Sequence, residues 1–158
     1  MPSSRPSDAR LQLIAESYQR LTGKSLLPDL PQDEATLHDA MWHAPFAIVA
    51  HGTEADPVFF YGNQYALRHF GMSFEEFVQL PSRLSAEPVN QQAREQALRK
   101  VAERGYIDGY SGMRVAKGGR RFMITDCTIW NLLDAAGGHH GQAAIFVAHD
   151  PDNNTGGK

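Results

Sequence analysis

The chain of 158 residues has a single cysteine, Cys127. That excludes an intrachain disulfide and any metal site built from cysteines alone, and it fits a reducing compartment. Nothing approaches the roughly 18 consecutive apolar residues of a membrane span. The opening Met-Pro-Ser-Ser-Arg-Pro-Ser lacks an apolar signal region. We expect a cytoplasmic protein with no membrane contact. Neither sign of charge dominates, with 15 Lys and Arg against 18 Asp and Glu. A formal net charge of -3 provides no global basic field to attract nucleic acid or anionic lipid, so neither is expected as a partner. Lys117, Arg120 and Arg121 cluster locally at a predicted turn and read as a solvated rim.

Signatures of chemistry are missing as well. There is no Gly-x-Ser-x-Gly, phosphate-cradling glycine loop, paired-carboxylate spacing or Cys-x-x-Cys. The histidines are not spaced as ligands. His38 and His43 do not share a helix face, His51 ends a strand, His69 sits in a short helix, and His139 and His140 are neighbours in a turn. Surface or capping roles are expected for them, and no metal site. Cys127 lies in a predicted strand and reads as a buried structural thiol.

What the sequence does contain is strong punctuation. In Pro57 to Phe77 a short strand runs into Asn63, which can cap the helix after it. Gly71 suits the left-handed residue beyond that helix. Ser73 and Glu76 form a capping box for a second short helix. Upstream, a helix is predicted from Asp8 to Thr22, with Leu11, Ile14, Tyr18 and Leu21 on one face. A proline-broken connector, Leu26 to Pro31, leads to a helix over about Asp33 to His43. Phe46 to His51 and Val58 to Tyr61 read as a strand hairpin. The stretch from Leu80 to Val89 is irregular. Asn90 is read as the cap of a helix running to about Arg104, buried along Ala93, Ala97, Leu98 and Val101. Three strands finish the domain: Tyr106 to Ala116, Arg121 to Leu133 and Gln142 to His149. Two strands, several helices and three strands predict an α+β protein: an antiparallel sheet with helices gathered on one side.

Several runs carry a family resemblance. They include Ser17 to Gly23 with Leu26-Leu27-Pro28, His43-Ala44-Pro45-Phe46 and His51 to Pro57. Further on are Tyr61-Gly62-Asn63, Pro81 to Asn90 and Tyr110-Ser111-Gly112. The last are Trp130 to Asp134 and Gly141 to Ala144. In these the chain resembles the MEKHLA branch of PAS-like proteins, of the bacterial stand-alone type, over most of Ala9 to Asp150. The Met-Glu-Lys-His opening of that branch is absent. The resemblance implies a five-stranded sheet in the order 2-1-5-4-3, with helices on one face and an extra N-terminal helix. We divide the chain into a disordered 1–7, flanking helices in 8–44, a PAS-like domain in 45–150 and a disordered tail in 151–158. The resemblance also implies a sensory or protein-interaction module rather than an enzyme. A homodimer and a separate signalling protein are the expected partners. There is no signature for haem or for a covalent flavin: the predicted Asn90 to Arg104 helix has no histidine, and Cys127 is not on a helix.

A sheet of this kind can hold a small organic ligand against its helices. Strand residues alternate between faces, so in Arg121 to Leu133 the even set is Phe122, Ile124, Asp126, Thr128 and Trp130. Its odd set includes Cys127, Ile129 and Asn131. Both sets are mixed. We place the even set inward because it groups Asp126 and Trp130 with Tyr110 and Arg114. A buried Asp126 needs a partner, and Arg83 or Arg114 could supply one. The expected ligand-contacting residues are Arg83, Tyr110, Arg114, Asp126, Thr128, Trp130 and Asn131. Three readings stay open at this point: a ligand-contacting cluster, a structural ion pair, and a small enzyme using Asp126 with Tyr110 or Arg114 on a small acid. Arg83 pairing with Glu87 to order its own loop is a further structural reading. Leu11, Ile14, Tyr18 and Leu21 could pack on the chain's own sheet, dock a second protomer, or both.

Overall fold

A computed structural model describes residues 10–27, 33–85 and 91–149. The tails expected to be disordered, much of the Leu26 to Pro31 connector, the proposed Asn90 cap and Glu87 lie outside the described residues. Helices α1 (Arg10–Thr22) and α2 (Glu34–Trp42) precede strands β1 (Ala47–His51) and β2 (Phe59–Gly62). Then come α3 (Gln64–Phe70), α4 (Phe74–Phe77), a 3-10 turn at Ser82–Ser85 and α5 (Gln91–Arg104). Strands β3 (Tyr106–Val115), β4 (Arg121–Leu133) and β5 (His139–His149) complete an antiparallel sheet in the order β2-β1-β5-β4-β3.

The punctuation works as the residue types require. Ser73 and Glu76 bond reciprocally across the first turn of α4. Gly71 takes φ 69° beyond α3, where a side chain would be strained. Asn63 does more than cap α3. Its Oδ1 accepts from Ala66 N and from Ile48 N, both at 3.1 Å. Its Nδ2 donates to Met41 O and Phe46 O, both at 2.9 Å. One buried amide thus joins the ends of α2, β1 and α3 and spends its full hydrogen-bonding capacity.

The sheet separates two apolar clusters. On one face α1 lies across β4: Leu11, Ile14 and Tyr18 are buried with Trp130, Leu132 and Ile48. Trp130 Nε1 donates to Ile14 O at 3.1 Å, and Ser17 Oγ both donates to Leu133 O and accepts from Leu133 N. On the other face α3, α4 and α5 cover Val49, Phe59, Phe122, Ile124, Cys127 and Ile129. The apolar stripe of α1 is therefore covered by its own sheet, with Leu21 only half-buried at its end.

One residue of β4 corrects the expected alternation. Asp126 has φ 54°, and the pairing with β5 shifts between Thr125 and Thr128. It forms a β-bulge, which an Asp in the left-handed region tolerates better than most residues. Before it the even residues Phe122 and Ile124 face the α5 side; after it the odd residues Cys127 and Ile129 do. Trp130 is thrown to the α1 side. Neither parity set faces inward along the whole strand.

Candidate functional site

Between the sheet and α5 lies a cavity of ≈ 50 Å³. Val49, Phe59, Phe70, Ile124, Ile129 and Phe146 make its wall apolar. Into this wall are set His51 from β1, Ser82 and Ser85 from the 3-10 turn, Arg94 from α5, Arg114 from β3 and Gln142 from β5. Cys127 adds a thiol whose pKa burial pushes up to about 12, so it stays protonated.

The two guanidiniums dominate the electrostatics. Arg114 is 7% exposed, bonds Met113 O through Nη1 at 2.9 Å, and lies 5.7 Å from the Tyr110 ring centroid. Arg94 Nη2 donates to Ser82 Oγ at 2.7 Å. Among the described residues neither meets a carboxylate. Burial, reinforced by the like charge of Arg114, pulls the Arg94 pKa down to about 10. It remains a cation at neutral pH. Asp56 and Glu95 act on Arg94 only at longer range and in the opposite direction. Among the described residues the cavity lining therefore carries an excess of positive charge, which is costly to bury.

His51 supplies the opposite kind of group. Its Nδ1 lies 3.0 Å from Gly52 O, and since a carbonyl only accepts, that contact assigns the proton to Nδ1. Nε2 is then a lone pair. It is buried with no hydrogen-bond partner among the described residues. Gln142 is its cross-strand neighbour, near enough for its side chain to favour the protonated ring, but its amide nitrogen goes to Asn131 Oδ1 at 3.2 Å. Burial lowers the His51 pKa below its ordinary value, with the Arg94 charge acting in the same direction, so the ring is held neutral.

The residues expected to contact a ligand are dispersed. Arg114 lines the cavity, and Tyr110 is half-buried in the same cluster. Asp126 is exposed in the bulge, so the buried ion pair envisaged for it does not form. Arg83 is exposed and pairs with Asp56 at 3.0 Å. Thr128 is half-buried beyond the bulge and does not line the cavity. Trp130 packs under α1, with Tyr18 4.8 Å away. Asn131 faces α5 and donates to Val101 O at 3.0 Å. The cavity residues that sequence reasoning missed are Arg94, His51, Ser82, Ser85 and Gln142. For Arg94 a signal was present, because it shares a face with Ala97, Leu98 and Val101 at helical spacing.

A sequence model of the MEKHLA domain matches residues 8–150. The chain belongs to the MEKHLA domain family. No curated protein matches it closely enough to lend it an activity. Solved structures share its fold. A PAS domain from Colwellia psychrerythraea is 15% identical, with a TM-score of 0.64 over 73% of this chain and 96% of that one. The light-state dimer of the fungal blue-light photoreceptor Vivid is 14% identical, with a TM-score of 0.62 over 92% and 99% of the two chains. A light-oxygen-voltage domain studied with a flavin analogue is 20% identical, with a TM-score of 0.61 over 78% and 91%. This MEKHLA domain thus has the PAS-like fold and sheet order. No helix among its described residues is long and apolar enough to cross a membrane.

Proposed function

We propose that this MEKHLA domain is a sensory module that holds a small organic molecule between sheet and helices and relays its presence to a separate protein. The observation carrying the reading is the cavity itself: among the described residues its wall combines two guanidiniums that form no ion pair with a carboxylate and a buried His51 Nε2 with no hydrogen-bond partner. Hydrogen-bonding capacity of that kind is costly to leave unspent in a folded interior. A bound molecule would use it.

A chain of hydrogen bonds from the cavity supports such a relay. Arg94 joins α5 to the 3-10 turn through Ser82, while Ser82 N donates to Pro57 O at 2.8 Å and Ser85 Oγ to Ser82 O at 2.7 Å. A ligand that competes for Arg94 would alter this turn and its tie to the start of β2. A homodimer is part of the proposal, with its partner protein docked outside the cavity. The small-acid enzyme reading loses support from the exposed position of Asp126.

The flavin named for one structural neighbour is not carried over. A space of ≈ 50 Å³ is far below the roughly 300–1,000 Å³ of pockets that hold drug-sized ligands. Native mass spectrometry of freshly purified protein, set against the denatured mass, tests the proposal. A retained small-molecule mass is expected on a dimer. A monomer that retains no mass, and whose cavity backbone amides respond to no small molecule, would overturn it.

A further inference from the structure

The chemistry of the wall narrows the class of molecule the cavity can take, and the narrower class rests on the sensory reading of the same cavity. Arg94 and Arg114 put two cations at one cavity without a carboxylate among the described residues. An anion is the direct complement, and guanidinium matches a carboxylate in planarity and donor spacing. His51 Nε2 is a buried acceptor, so it calls for a donor on the same ligand. Phe59, Ile124 and Phe146 leave room for hydrocarbon rather than for a fully hydrated oxyanion. Size sets the last limit. At about 10–15 Å³ for each water-sized unit, ≈ 50 Å³ holds about three to five such units, the bulk of a two-carbon hydroxy acid, with a three-carbon one just past that limit.

We propose that the cavity is a receptor site for a short 2-hydroxy carboxylic acid. Arg94 and Arg114 hold the carboxylate, and His51 Nε2 accepts from the hydroxyl. Ser82, already bonded to Arg94, orients that guanidinium. Apolar residues contact the short carbon chain. Binding inserts the missing negative charge, so it relieves the repulsion between the two arginines and draws Arg94 toward the cavity.

Calorimetry and thermal melting of the full chain in a buffer free of carboxylate and phosphate test this directly. The probes are glycolate, lactate, acetate, lactamide and inorganic phosphate. Lactate or glycolate is expected to bind one-to-one and to raise Tm by about 5–10 °C at a hundredfold excess over Kd. Acetate lacks the hydroxyl and should bind at least tenfold more weakly. Lactamide lacks the charge and should not bind. Arg94→Met and Arg114→Met should each abolish binding while the far-ultraviolet circular dichroism is unchanged. Equal binding of lactamide, binding of phosphate alone, or full binding by both variants would overturn the proposal; the lactate–lactamide comparison needs no variant to fold. A retained neutral mass with no response to any acid would refute the acid while leaving the sensory reading intact. No retained mass and no response to any probe would remove both.

Discussion

Replacing Asn63 tests the packing argument at its most concentrated point. The side chain is fully buried and makes four hydrogen bonds, to Ile48 N, Ala66 N, Met41 O and Phe46 O. Asn63→Ala removes the cap of α3, strands the buried donors Ile48 N and Ala66 N, and takes one bond each from Phe46 O and from Met41 O, which keeps a second bond from Ala44 N. At about 1 kcal/mol per lost bond the total is about 4 kcal/mol, more if water cannot reach the stranded groups. Against a typical stability of about 5–15 kcal/mol this approaches the unfolding threshold. Asn63→Asp is not a mild change. It keeps the acceptor of the cap but turns an oxygen toward Met41 O and Phe46 O, where the amide nitrogen stood at 2.9 Å. The buried carboxylate would have a raised folded-state pKa, so its penalty is full above that pKa and shrinks as the pH falls through it toward the lower unfolded-state value. Urea unfolding followed by tryptophan fluorescence at pH 7 and pH 5 reads both effects. A loss below about 1 kcal/mol for Asn63→Ala would refute the reasoning, as would wild-type stability of Asn63→Asp at pH 7.

Three other predictions are independent of that one. Arg114→Met should leave the ligand-free protein as stable as the parent or about 1 kcal/mol more stable, because removing a buried, unpaired charge offsets the lost bond to Met113 O and the Tyr110 contact; a loss above about 2 kcal/mol in urea would count against an uncompensated charge. Gly141→Ala should abolish soluble expression or lower Tm sharply, since a Cβ there would sit 2.0 Å from His51 O at a backbone φ of +132°; a normal melt would contradict it. His51 should titrate below its ordinary value in proton NMR. Because its folded-state pKa is depressed, the unfolded chain binds the proton first as pH falls below about 6.5, so stability drops there and His51→Gln should flatten that slope. An unchanged slope would show that His51 is not held neutral.

How far the sequence could be read depended on the range of the interaction. Asn63, Gly71 and the Ser73–Glu76 pair act within one turn of chain, and each was legible from residue type and spacing. The sheet order came from the family resemblance, not from periodicity, which carries no information about which strands meet. The bulge at Asp126 was illegible in the alternation. One extra residue in the left-handed region reverses every later side chain, and although Asp is depleted in strands, residue type alone does not locate a bulge. That reversal moved Trp130 to α1 and brought Cys127 and Ile129 to the cavity. Arg94 could have been found, because it lies on the face of α5 that Ala97 and Val101 bury. His51 could not. Its significance depends on which ring nitrogen Gly52 O occupies, and that is a property of the folded backbone.

The most direct test of the cavity as a receptor follows the Nε–H resonances of Arg94 and Arg114 by nitrogen-15 NMR during addition of lactate, with lactamide as control. The account predicts that both resonances shift together and saturably with lactate, with the backbone amides of Ser82 to Ser85 responding in parallel, and that lactamide moves none of them. Shifts confined to exposed residues, or the same shifts with lactamide, would contradict it.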